Sequence, residues 1–98
     1  MLTPRQRQHL KAKAHPLKAN VHIGKAGVTE GLAKELDAML ESLELMKIKL
    51  NQNTFEDLTT VTDALTAKVP GLEVVRTLGH SLLVFRASRL RPTAFPLP

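Results

Sequence analysis

The 98-residue chain has no cysteine, no tryptophan and no tyrosine, and its aromatic fraction is only 3%. The lack of cysteine excludes disulfide staples, thiolate metal sites and thiol nucleophiles, and it fits a reducing compartment, so a cytoplasmic location is expected. The shortage of aromatic rings argues against a sheet surface that stacks bases on exposed rings. No apolar run approaches the ~20 residues that span a bilayer, so no membrane partner is expected. The basic N-terminal stretch reaches His15-Pro16 before any uninterrupted apolar segment, and no export signal is expected either. Acidic residues are missing from residues 1–25, which hold Arg5, Arg7, Lys11, Lys13, Lys18 and Lys25.

What is present is an ordinary globular composition, 43% hydrophobic and 23% charged, in a chain long enough for one domain with one modest core. Fourteen Lys and Arg against nine Asp and Glu leave a net charge of +5. The middle of the chain is acidic, with Glu30, Glu35, Asp37, Glu41, Glu44, Glu56, Asp57 and Asp63, whereas Arg76, Arg86, Arg89 and Arg91 face only Glu73 beyond residue 70. Basic ends around an acidic middle would draw a polyanion to one side of the molecule.

Thr3-Pro4-Arg5-Gln6 predicts a helix start, with Thr3 as cap, Pro4 at the first helical position and Gln6 completing a capping box. That helix should run to about Ala14 and dock by a narrow stripe of Leu10 and Ala14. Asn20–Ile23 alternates as a short strand with Val21 and Ile23 inward. From Thr29, the residues Leu32, Leu36, Met39, Leu40 and Leu43 recur at helical spacing. Leu45–Leu50 alternates again, with Met46, Ile48 and Leu50 on one face and Lys47 and Lys49 on the other. Thr54 is expected to cap a third helix with Phe55, Leu58, Val61, Leu65 and Val69 on its apolar stripe, ended by Pro70-Gly71. Residues 72–77 and 81–86 read as a hairpin joined by Leu78-Gly79-His80, and the unbroken Leu82–Phe85 run places the last strand inside the sheet. The expectation is an α/β fold: a two-layer sandwich in the order helix, strand, helix, strand, helix, strand, strand. Its four-stranded mixed sheet has three parallel strands and an antiparallel last one. Residues 1–87 would form the domain and 88–98 a flexible proline-rich tail.

The loop Gly24-Lys25-Ala26-Gly27 joins the first strand to the clearest helix. Two glycines allow unusual backbone angles and leave room for a phosphodiester to reach main-chain N–H groups, and Lys25 adds a cation at the tip. KH domains clamp a nucleic-acid backbone with the same Gly-x-x-Gly device. Glycines also serve strand-to-helix turns for purely structural reasons, so the loop gains meaning from its basic surroundings: Arg5, Arg7, Lys11, Lys13, His15 and Lys18, with Arg86, Arg89 and Arg91 as a second zone. Lys47 and Lys49 suit either RNA contact or edge protection. The four histidines show no metal-site spacing, no nucleophile elbow or phosphate loop is present, and the acids of the second and third helices read as solvated faces. No enzyme activity, cofactor, metal or small-molecule substrate is expected.

With these elements placed, Leu10-Lys11-Ala12-Lys13-Ala14-His15-Pro16-Leu17-Lys18, the strand, and Gly24-Lys25-Ala26-Gly27-Val28-Thr29-Glu30-Gly31 together resemble the CRM domain family (chloroplast RNA splicing and ribosome maturation), in its bacterial YhbY-like form. Glu44–Lys49 and Gly79–Arg86 extend the resemblance over about residues 3–87. It implies a fold similar to the C-terminal domain of translation initiation factor three, with strands ordered one, two, four, three. It also implies RNA binding through Gly24, Lys25 and Gly27, with Lys11, His15 and Lys18 in the basic N-terminal pattern. The implied partner is structured ribosomal RNA precursor in the pre-ribosomal large subunit. The alternative is a protein-interaction adaptor that docks on ribosomal or assembly proteins through an acidic helix face and touches RNA incidentally.

Overall fold

The computed structural model describes residues 2–51 and 57–98 of the chain. Helix α1 (Pro4–Ala14) opens with the expected capping box: the Thr3 hydroxyl accepts the Gln6 N–H, and the Gln6 side chain accepts the Thr3 N–H. Strand β1 (Ala19–Ile23) leads through the glycine loop to α2 (Glu30–Leu43), which is followed directly by β2 (Leu45–Leu50). Helix α3 (Leu58–Lys68), β3 (Glu73–Leu78) and β4 (Ser81–Phe85) complete the order. Asp57 caps α3 by accepting the Thr60 N–H at 2.8 Å, in the place expected of an earlier cap. Thr54 and Phe55, to which that expectation referred, lie outside the described residues.

The sheet order is β1-β2-β4-β3, with β1 parallel to β2 and β4 antiparallel to both its neighbours. β4 is therefore interior, and Leu82–Phe85 is buried throughout because both faces of the strand are covered. Leu82 and Val84 join the core beneath α2 and α3, where Ala33, Leu36 and Leu40 meet Val61 and Leu65 over Val21, Ile23, Met46 and Ile48. Each fully buried leucine in such a cluster contributes ~1.5–3 kcal/mol. Leu43, expected on the same stripe, is 42% exposed at the last position of α2. Leu83 and Phe85 face the other way, into a smaller cluster with Leu45, Val75, Leu2, Leu10 and Ala14. Helix α1 thus covers the face of the sheet opposite α2 and α3, by the narrow stripe its sequence predicts.

The hairpin turn is Gly79-His80, with Leu78 paired to Ser81. Only Gly79 of the two has a positive φ, 59°, the signature of a turn with glycine in its first central position. β3 carries an irregularity between Val74 and Arg76 that sends Val75 and Arg76 to the same face.

Glu44 joins α2 to β2 without a loop. Its φ of 65° and ψ of −45° are strained for a side-chain-bearing residue, at a cost of order 1–3 kcal/mol. Its N–H still donates to Leu40 O at 2.8 Å and its carbonyl accepts the Arg86 N–H at 2.9 Å, so both turning peptides are satisfied. The Glu44 carboxylate is fully buried and accepts the Ser88 N–H at 2.9 Å, the Thr93 hydroxyl at 2.5 Å and the Ala94 N–H at 2.8 Å. The segment from residue 88, expected to be mobile, is thereby held against the domain. Phe95 meets Phe85 edge to face at 6.4 Å, and Leu97 packs on the α1 cluster. Glu41, read from sequence as part of a solvated helix face, accepts the Ser88 hydroxyl and the Arg89 N–H.

Candidate nucleic-acid interface

Strand β1 ends in the buried Ile23, and the chain turns at once: the Gly27 N–H donates to Gly24 O at 3.0 Å, leaving Lys25 and Ala26 exposed at the tip. Gly27 needs its freedom, with a φ of 68°. At Gly24 an added Cβ would meet only Asn51 Nδ2 at 3.7 Å, an ordinary contact, so the fold itself does not demand glycine there. Val28 is drawn into the core, and the Thr29 hydroxyl accepts the Leu32 N–H at 3.1 Å as the cap of α2. Lys68 clamps the far side of the loop, donating to Val28 O at 3.2 Å and pairing with Glu30 at 3.1 Å. The N-terminal end of α2 is thus already met by Thr29 and Glu30, which leaves the tip of the turn, rather than the helix end, to face a ligand.

Other connections gather at the same end of the sheet. The Asn51 N–H donates to Ile23 O at 2.9 Å, and the Leu50 N–H donates to His80 O at 2.7 Å. Below this rim, one row of paired residues crosses all four strands on the α1 face: His22 opposite Lys49, Lys49 opposite Ser81, Ser81 opposite Leu78. The next row holds Lys47, Leu83 and Arg76. Because α1 and the tail cover only the Leu45, Phe85 and Val75 end, this half of the face stays open, and His22, Lys49 and Leu78 are exposed. Its charges are cationic. Glu73, also on this face of β3, lies at the covered end beside Phe85. The acids Glu30, Glu35, Asp37, Glu41 and Asp63 belong to α2 and α3 on the opposite side. The open half of the sheet thus carries cations without an acid beside them, whereas the helix side mixes its acids with Lys34, Lys68, Arg86, Arg89 and Arg91.

The remaining residues singled out by sequence fall into two groups. Arg5, Lys13, His15 and Lys18 are exposed and Lys11 is half-buried, all on α1 or its connection to β1. Lys11, Lys13, His15 and Lys18 lie toward the start of β1, whereas the loop lies at its end, about 16 Å away at ~3.3 Å per strand residue, and Arg5 sits at the opposite end of α1, toward β3. Lys47 belongs to the first of these regions: it pairs with Ala19 and donates its ammonium to Leu17 O at 2.7 Å.

Two arginines do not belong to an open interface. Arg7 donates from one nitrogen to Val74 O at 2.7 Å and Val75 O at 3.0 Å, fastening α1 to the irregular stretch of β3. Arg86 is 5% exposed, with its guanidinium on the Asp37 carboxylate at 2.5 Å, Asp37 O at 2.8 Å and Pro70 O at 3.0 Å. Gly71, at a φ of 79°, makes room for it, since a Cβ there would stand 3.1 Å from Arg86 Cδ. A charge so enclosed offers nothing to a phosphate. Arg89 and Arg91, the rest of the expected second zone, are occupied too: Arg89 pairs with Asp37 and Glu41, and Arg91 donates to the carbonyls of Glu41 and Ser42.

Three of the perturbed carboxyls lie at this end, while a fourth, Asp57, is lowered by its capping bond from Thr60 at the start of α3. The Arg86 hydrogen bond holds the Asp37 carboxyl below its usual value. Hydrogen bonds from Ser88 and Arg89 bring Glu41 down to about 2. Burial pushes Glu44 up, but Thr93, Ala94, Ser88 and the Arg91 charge outweigh it, so its value is lowered as well. These groups hold the tail. Sequence reasoning did not single out Arg76, Ser81 and Leu78, which share this open half of the sheet; the signal available was that Leu78 and Ser81 flank a two-residue turn and so must lie side by side.

The family model for the CRS1/YhbY (CRM) domain matches residues 2–86. The chain is 35% identical over 89 residues to the probable RNA-binding protein YqeI of Bacillus subtilis, covering 91% of this chain and 92% of YqeI. It is also similar to the solution structure of SAV1595 from Staphylococcus aureus, described as a candidate RNA-binding protein, with a TM-score of 0.78, 32% identity and full coverage of both chains. A family match across nearly every element of the fold, glycine turn included, makes this chain a member of the CRS1/YhbY (CRM) domain family.

Proposed function

We propose that this protein is an RNA-binding factor that holds the phosphates of structured RNA with the Gly24–Gly27 turn and the open basic face of its sheet. The observation that carries the reading is the open half of the sheet, where Lys47, Lys49 and Arg76 share one face without an acid among them, whereas the acids Glu30, Asp37 and Glu41 on the other side are already paired with Lys68, Arg86 and Arg89. A cationic patch on one face orients a polyanion before contact. Lysines and main-chain N–H groups then replace condensed counterions, with no base-specific donor needed. The RNA-binding descriptions of YqeI and SAV1595 support the same class of ligand.

The finer reading is that the RNA is a precursor of large-subunit ribosomal RNA, bound in the cytoplasm during ribosome assembly, with residues 1–87 as the binding unit and no reaction catalysed. Its support is the resemblance to the family's bacterial form. The test has two stages. Affinity for a structured ribosomal RNA fragment should fall steeply between about 50 and 200 mM salt. Crosslinking in cells should then recover precursor ribosomal RNA, whereas enrichment of messenger or transfer RNA would overturn the assembly role while keeping RNA binding.

A further inference from the structure

The open half of the sheet is not a flat charged surface. Lys47, Arg76, Leu78, Ser81 and Leu83 line a groove of about 170 Å³ between β2, β4 and β3. That is roughly the room of five or six waters, and below the ~300 Å³ at which sites for cofactor-sized ligands begin. Its floor and one wall are leucine. Leu78 is 65% exposed, the only residue within a described strand among the large exposed hydrophobics, and it stands across β4 from the exposed Lys49. An apolar side chain at the rim of a cationic groove is poorly explained by phosphate contact alone, because phosphates gain nothing from leucine.

We infer that this groove takes a single unpaired nucleotide, so that the protein favours RNA helices interrupted by a bulge or ended by an overhang. This inference rests on the RNA-binding reading above. Each wall has a part in it. Leu78 and Leu83 cover one face of the base, the planar Arg76 guanidinium supplies the stacking surface that missing aromatics would provide elsewhere, and the Ser81 hydroxyl meets a polar edge. Lys49, opposite His22, stands where a flanking phosphate leaves the groove toward the loop at the end of β1, while the Lys47 ammonium is held on Leu17 O. A base inside a continuous duplex is stacked on both sides and cannot enter. The groove therefore reads the presence of an unpaired base, not its identity.

The experiment compares two RNA hairpins of equal length, one fully paired and one with a single bulged uridine, binding to the full chain at one fixed salt concentration. The protein is expected to bind the bulged hairpin about fivefold or more tightly, in keeping with stacking of one base on a non-aromatic surface. Leu78→Ser and Arg76→Gln should bring that ratio close to one; both positions are solvent-accessible, and retention of the fold is checked by circular dichroism. Lys25→Ala should lower both affinities and keep the ratio. Equal binding of the two hairpins by the unmodified protein, with its salt dependence intact, would overturn the groove while leaving the RNA-binding reading in place. A ratio that survives Leu78→Ser and Arg76→Gln would put the nucleotide elsewhere and overturn it as well. Failure to bind either hairpin would remove both.

Discussion

Glu44 Oε1 accepts the backbone N–H of Ala94 at 2.8 Å, joining the end of α2 to a point fifty residues further along the chain. With Ser88 and Thr93 on the second oxygen, the carboxylate replaces its water entirely by protein donors. Replacing Glu44 by Ala should strand those donors and loosen the tail, costing about 2–3 kcal/mol by urea unfolding. Amide resonances of Ser88 and Ala94 should move to exchanging, solvent-like positions. If they stay put, the carboxylate is not what holds the tail.

Acid should do the same without mutation. Asp37, Glu41 and Glu44 all have lowered values in the fold, so their contributions are complete above the ordinary carboxyl range near 4.5. These contributions drain away as pH falls through the folded values, about 2 for Glu41. The urea midpoint should therefore hold from pH 7 to about 5 and decline steadily below 4.5, with the tail amides responding before those of β2 and β4.

Arg86→Met separates structure from binding. It removes the partner of Asp37 and leaves the carbonyls of Asp37 and Pro70 without their donor, which should cost about 2 kcal/mol, less than for a fully enclosed pair because Asp37 stays partly exposed. RNA affinity measured well below the unfolding midpoint should stay within about twofold of the unmodified protein. A tenfold loss at full folding would return Arg86 to the interface.

Opposite charge reversals test which face meets RNA. Lys49→Glu on the open face should weaken binding about tenfold at low salt, while Glu35→Lys on α2 should leave it equal or tighter. Lys25→Ala should lower the salt slope by roughly one if the side chain meets one phosphate. The adaptor alternative predicts the reverse ranking for association with ribosomal particles, with Glu35→Lys the more damaging change.

The elements themselves were legible because each rests on local chemistry. Thr3 and Gln6 specify a helix start within four residues, the alternation from Leu45 to Leu50 specifies a strand, and four consecutive apolar residues in β4 require cover on both faces. Sequence could not show where a long side chain ends. Arg7 and Arg86 carry the same charge as Arg5 and Arg89, and only the fold decides that one meets the carbonyls of β3 and another is buried against Asp37. The contacts of the tail were hidden for a related reason. Glu41 and Glu44 repeat the spacing of a solvated helix face, and their partners lie 44 to 50 residues away, beyond any local pattern. The groove was hidden because the irregularity at Val75 changes which β3 residues share a face.

The burial of Glu44 also makes the carboxyl-terminal segment part of what the sheet depends on. Its carboxylate is met by donors from Ser88, Thr93 and Ala94, all beyond the last strand. A chain clipped after Ala87 would keep the same sheet and the same glycine turn but leave that acid to water alone, and should unfold at a lower urea concentration than the whole chain.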